Sequence, residues 1–176
     1  MPKRIFFLFL LLPFYLSLFT PIHALYIPRI QEDARKEAYQ QKLKTYSPQN
    51  QQKLEKLGKT IANLNKKESD QLTQIMEGQA QIMDEYERRQ NLIEVKQTDG
   101  KTRNLSNQFE NARYWLTYAH EAVAFQAAKN YIFTLSSEAT IKRDATNTVS
   151  EFENDMVALQ GKVVKSQKII SQLVSQ

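Results

Sequence analysis

No proline occurs between Gln49 and Gln176, and only Gly58, Gly78, Gly100 and Gly161 interrupt a sequence rich in Gln, Lys, Glu, Ala and Leu. Proline breaks helices and glycine weakens them. A chain that avoids both and is built from strong helix formers makes long helices rather than sheets. The class expected is all-α: an elongated antiparallel helical bundle or coiled-coil hairpin.

The apolar periodicity supports this. Ile30, Ala34, Ala38 and Leu43 give a loosely apolar side to a short leader helix, which should end near Tyr46 because Ser47 precedes Pro48. Ser47 is suited to N-cap the next helix, and Pro48 to its first position, where the missing N–H costs nothing. The capping box is incomplete, since Asn50 stands where Glu or Gln is expected. Leu54, Leu57, Ile61 and Leu64 then recur at steps of three and four, and the pattern resumes at Leu72, Ile75, Gln79, Ile82, Tyr86 and Ile93. The jump from Leu64 to Leu72 reads as a stutter in a heptad stripe. A helix from about Pro48 to about Lys96 is a rod of roughly 70 Å.

The segment Gln97 to Thr102 contains Asp99-Gly100, the clearest turn in the chain. A third helix follows, with Phe109, Ala112, Leu116, Ala119, Val123, Ala127 and Tyr131 on one side. A fresh N-cap is available near Ser136, after which Ile141, Ala145, Val149, Phe152, Met156, Leu159, Val163, Ile170 and Leu173 form a last stripe. With a break near Ser136 the chain makes three long helices after the leader. Without it, one very long helix pairs with the second helix along its first half only.

At the N-terminus, Lys3 and Arg4 precede an apolar run from Ile5 to Leu12, and Ile22-His23-Ala24 offers a small-residue cleavage position. This is the layout of a signal peptide cut after Ala24. The alternative is an uncleaved anchor formed by residues 5–27, against which Pro13, Ser17, Thr20, Pro21 and His23 argue. The expected organisation is a signal peptide at 1–24, the leader at 25–47 and the long helices at 48–176. The chain is then extracytoplasmic, periplasmic or secreted. It has no cysteine, which excludes disulfides, thiolate zinc sites and a lipid-modified cysteine. Loss of Lys3 and Arg4 lowers the formal charge from +5 to +3, and no clustered basic face with stacking aromatics argues for nucleic acid. Lys162, Lys165 and Lys168 share a helix side near the C-terminus, where interaction with the helix dipole explains them.

Motifs for chemistry fail on inspection. Gly100-Lys101-Thr102 resembles the end of a phosphate loop, but Val95 stands where its first glycine is required. His120 is the one histidine left after signal removal, and Thr117 occupies the place of the glutamate in a Glu-x-x-His metal pair. Asp84 and Glu85 stand four residues before Arg88 and Arg89, the spacing of solvated ion pairs. Asn104-Leu105-Ser106 is a formal glycosylation acceptor. No catalytic site, metal or cofactor is expected.

The densest feature is Tyr114-Trp115-Leu116-Thr117-Tyr118, with Phe109, Val123 and Phe125 nearby. Tyr114, Tyr118 and Glu121 can line one side of the helix, and Leu116, Ala119 and Val123 another. The plain reading makes these aromatics the thick part of the core. The functional reading makes Tyr114, Trp115 and Tyr118 a partner-binding patch, since Tyr and Trp are enriched at interface hot spots.

In outline the chain is similar to two groups of exported helical proteins, the pilus-associated subunits of type IV secretion systems and the periplasmic holdase chaperones. The β-rich body of the chaperones has no comparable strand segments here. The expected function is a non-catalytic interaction or structural component of the cell envelope or of a secretion or pilus assembly. The alternative is a holdase-type chaperone binding unfolded clients. Expected partners are other proteins or a second copy, with membrane contact only through an uncleaved N-terminal segment.

Overall fold

The computed structural model describes residues 31–94 and 102–175, and every regular element among them is helical. Helix α1 covers 31–43, α2 Pro48–Glu94, α3 Thr102–Ala128 and α4 Ile141–Val174, the last preceded by a 3₁₀ turn at Glu138–Thr140. The expected signal segment, the Asp99–Gly100 turn and the expected apolar positions Ile30 and Ile93 lie outside the described residues and side chains. No described helix is long and apolar enough to cross a membrane.

Leader helix α1 packs through Tyr39 and Leu43, joined by Tyr46 just past its end, while Ala34 and Ala38, expected on its apolar side, are exposed. The larger side chains, spaced four and three, outcompete the alanines for the buried face because they remove more apolar surface from water. Helix α2 begins at Pro48, and the Ser47 carbonyl accepts the first helical bonds from Asn50 and Gln51 at 3.0 and 2.9 Å. The Ser47 hydroxyl is not spent on that helix. It donates to Glu138, whose Oε1 also accepts the Ser47 N–H at 2.8 Å and Asn50 Nδ2 at 2.7 Å. Those bonds, the Ser47 hydroxyl first, hold the Glu138 carboxyl below its ordinary range. A carboxylate from another element thus sits at the start of α2, where the helix dipole favours it.

Along α2 the core stripe runs through Leu54, Ile61, Asn65, Ser69, Leu72, Met76, Gln79 and Met83. Leu64, Ile75 and Ile82, expected inside, are 42, 46 and 48% exposed. The two consecutive steps of four, Ile61 to Asn65 to Ser69, are the stutter, and they begin before the jump in the hydrophobic pattern. From there the register selects Met76 and Met83 over the isoleucines beside them, and flexible methionine fills an irregular interior well.

Two packed clusters join the long helices. One gathers Leu54, Ile61, Leu72 and Met76 of α2 with Ala119 and Val123 of α3 and Phe152, Met156, Leu159 and Val163 of α4; the other gathers Met83, Ala112, Ile170 and Leu173. Asn65 meets Gln126 and Glu87 meets Arg113, so α3 runs against α2, whereas Asn50 meets Glu138 and Gln79 meets Ser166, so α4 runs along it. Asp144, Thr148 and Ser166 complete the buried side of α4, and Ile141, Ala145 and Val149 are partly buried beside it.

The break between α3 and α4 comes at Ala128, earlier than Ser136, and it is wide. Asn65 stops α3 from across the interface, donating to the carbonyls of Gln126 at 2.9 Å and Lys129 at 3.1 Å. The Gln126 carbonyl also accepts the Lys129 N–H at 3.0 Å, so the helix end is closed by one main-chain turn and one side chain from α2. No described residue has a positive φ, so the usual left-handed cap is not used. Tyr131, expected on α3, lies beyond it, and Ala127 is exposed while Gln126 is buried in its stead.

Residues 129–137 then carry the chain from the level of Asn65 to the level of Ser47. Along α2 that is about 27 Å at ~1.5 Å per residue. Crossing it in so few residues takes close to 3 Å each, which only an extended backbone supplies. This strap lies against the first half of α2 at Gly58, with Phe133 buried and Tyr39 of α1 packed on it at 6.1 Å between ring centres. Ser137 and Thr140 end the strap, the Ser137 N–H donating to Thr140 Oγ1 at 3.2 Å. The buried Asp144 carboxylate accepts the Ser136 N–H at 2.7 Å and Thr140 Oγ1 at 3.0 Å.

The register of α2 is open to a simple test. Met76→Ala empties a fully buried site and should cost about 2–5 kcal/mol in urea unfolding, whereas Ile75→Ala should cost less than about 1 kcal/mol. Equal losses would restore the isoleucine register.

Candidate interaction surface

The most buried apolar positions of α3 are small, Ala112 and Ala119 fully buried and Val123 nearly so, with Phe109 and Leu116 partly buried beside them. Small contact residues bring helix axes to the short end of the 8–10 Å range. The ring that does enter the interface is Phe109, which packs beside Ala112 and stacks on Tyr86. Tyr114, Trp115 and Tyr118 lie outside it and are not the thick part of the core. Tyr114 is 61% and Tyr118 39% exposed, and Trp115 is half-buried beside them.

The three rings form one braced group. Tyr114 and Tyr118, one turn apart, stack with centres 6.2 Å apart and planes within 4°. Trp115 stands edge-on to both, 5.6 Å from each. Such pairs contribute roughly 0.5–1.5 kcal/mol beyond the area they bury. Because α4 runs against α3, its lysines meet the rings in reverse order: Lys165 Nζ lies 3.6 Å from the Trp115 ring centre and Lys162 Nζ 4.9 Å from that of Tyr118. This replaces the helix-dipole account of these lysines, since α4 continues to Val174 and the dipole acts within the last turn. A cation over an aromatic face at an exposed site is worth about 0.5–1 kcal/mol.

Beyond Tyr118 the face opens into a groove of about 390 Å³ lined by Ala122, Phe125, Ala158, Leu159 and Lys162 among others. Phe125 projects from it, 74% exposed. At its far end a polar relay links the elements: Gln126 Nε2 donates to Asn65 Oδ1 at 2.8 Å and to the Tyr131 hydroxyl at 2.7 Å, and that hydroxyl donates to Asp155 Oδ2 at 2.7 Å. Lys129 pairs with Asp155 and, at 2.9 Å, with Glu151. Burial, chiefly, pushes the Tyr131 hydroxyl up to about 12, so it stays protonated and donating. Burial would raise the Asp155 carboxyl, but the bonds from Lys129 and Tyr131 outweigh it and hold it low.

This relay is structural in its reach, since it ties α2, α3, the strap and α4. Sequence periodicity does not announce it. The lysine pairing did leave a signal: Trp115 and Tyr118 are spaced by three, as are Lys162 and Lys165. His120 is exposed on α3, and Glu85 pairs with Arg89 on α2. Among the described residues no group of three His, Asp or Glu side chains is arranged to hold a metal ion.

Trp115 is the sole tryptophan, so its fluorescence reports on this face directly. Lys165→Ala should raise the acrylamide quenching of that emission while lowering stability by no more than about 1 kcal/mol. Unchanged quenching would remove Lys165 from the ring. No family model, curated protein or solved structure matches the chain.

Proposed function

We propose that this chain is an exported, non-catalytic helical protein that works by binding another protein in the cell envelope or in a secretion or pilus assembly. The helices are read as an antiparallel bundle, following a signal peptide at residues 1–24 that delivers it outside the cytoplasm. The observation that carries the reading is the aromatic face of α3. Tyr114 and Phe125 expose most of their surface, and Trp115 and Tyr118 are held beside them in fixed geometry by stacking and by two lysines. Large rigid aromatics lose little entropy on contact and supply the anchors of protein interfaces.

A holdase-type chaperone is the second reading, with the groove beside Phe125 as its client site. Rigidity favours the first, because surfaces that accept many partners rely on adaptable side chains such as methionine. The chain's buried methionines, Met76, Met83 and Met156, are not available on this face.

The test places a photo-crosslinking amino acid at Tyr114 or Phe125 in the chain's own cells. A discrete adduct, enriched in the envelope fraction and absent with the probe at Lys142 on the first turn of α4, is the expected result. A smear of many adducts would favour the chaperone reading. No adduct, or a chain retained in the cytoplasm, would contradict the proposal.

A further inference from the structure

In an extended segment the main-chain groups cannot bond to one another, so they must be met by water, by side chains or by another strand. In the strap, the carbonyl of Lys129 is taken by Asn65 and the N–H of Ser136 by Asp144. Between them, the main-chain N–H and C=O groups of residues 130–135 bond to no other group of the described residues. The side chains follow a strand's period of two: Tyr131, Phe133 and Leu135 pack inward on the core, while Thr134 and Ser136 are exposed. An unpaired extended edge of this kind is a template for another strand.

The space beside it is shaped to receive one. A groove of about 510 Å³ runs along the strap, bounded by Ile132, Phe133, Tyr39 of α1 and Gly58 and Lys59 of α2. A Cβ at Gly58 would stand 3.4 Å from Phe133 Cε2, so the glycine leaves α2 bare where the strap lies against it. Glu55 and Lys59, one turn apart on α2, both line the groove; Lys59 is exposed at the rim and makes no ion pair among the described residues.

We propose that residues 130–135 are a docking site for an extended segment of a partner protein, which adds to the strap as a β-strand, sets an apolar side chain in the groove and brings a carboxylate to Lys59. A helical partner would offer the strap only side chains, since its own main chain is already bonded internally, whereas an extended segment offers a continuous row of main-chain groups. The site is separate from the aromatic face of α3, and it stands or falls independently of the function proposed above.

The probe is a phage-displayed library of random eight-residue peptides, selected on the purified chain. The enriched peptides should alternate apolar and polar residues with an acidic residue at one end. In hydrogen exchange they should slow the amides of alternate residues within 130–135 at least tenfold. Methylating the peptide nitrogens that face the strap should weaken binding at least tenfold, a control that leaves the protein untouched. On the protein side, Thr134→Pro removes one main-chain N–H from the strap and should weaken binding at least fivefold with unchanged circular dichroism. Failure of any peptide to enrich, protection confined to α3, or full binding by the methylated peptides would each overturn the proposal.

Discussion

The reciprocal contact between Asn65 and Gln126 is the interaction from which the rest of the arrangement follows. Gln126 donates its amide to Asn65 at 2.8 Å, and Asn65 returns a bond to the Gln126 carbonyl at 2.9 Å and another to Lys129 at 3.1 Å. Both side chains are buried, so each amide left unpaired would cost about 1–3 kcal/mol. The pair therefore sets the register of α3 on α2 and ends α3 at the same point. A helix stopped there needs an extended path to reach Glu138, and Glu138 in turn receives the start of α2. Helix end, strap and the junction at Ser47 are thus one mechanical unit.

Buried polar groups recur along the interface at the places where hydrophobic contact alone would allow sliding. Gln79 accepts the Ser166 hydroxyl at 2.7 Å and fixes α4 on α2 farther along. A polar residue at a core position specifies register at some expense in stability, as in coiled coils. The small side chains of α3 act alongside this constraint. Ala112 and Ala119 occupy the seam with Phe109 and Leu116 at its edge, while Tyr114, Trp115 and Tyr118 stand on the flank as the aromatic face. Core packing and candidate interface are consequences of the same choice of residues.

Much of the helical layout is legible in the sequence because proline, glycine and apolar spacing report on backbone geometry directly. Pro48 marks the start of α2, and Phe152 to Leu173 mark the buried side of α4, much as the periodicity predicts. What periodicity could not resolve was the choice between adjacent apolar residues. Ile75 and Met76, or Ile82 and Met83, serve a hydrophobic stripe equally well until Asn65 and Ser69 shift its phase. The strap was illegible for a related reason: no proline or glycine announces it, and its cap comes from another helix. Tyr131-Ile132-Phe133-Thr134 is nonetheless rich in residues that favour extended backbone. Tyr114, Trp115 and Tyr118 stood out as a group, but their exposure depended on the alanine seam beneath them and on lysines distant in sequence.

The most direct test of this account is the set of backbone chemical shifts across the junction of α3 and α4, measured by nuclear magnetic resonance on the purified chain. Helical values should end at Ala128, give way to extended values from Tyr131 to Leu135 and return by Ile141. An unbroken run of helical shifts from Ala119 to Phe152 would contradict it, since α3 and α4 would then be one helix and the Asn65–Gln126 contact would not end α3.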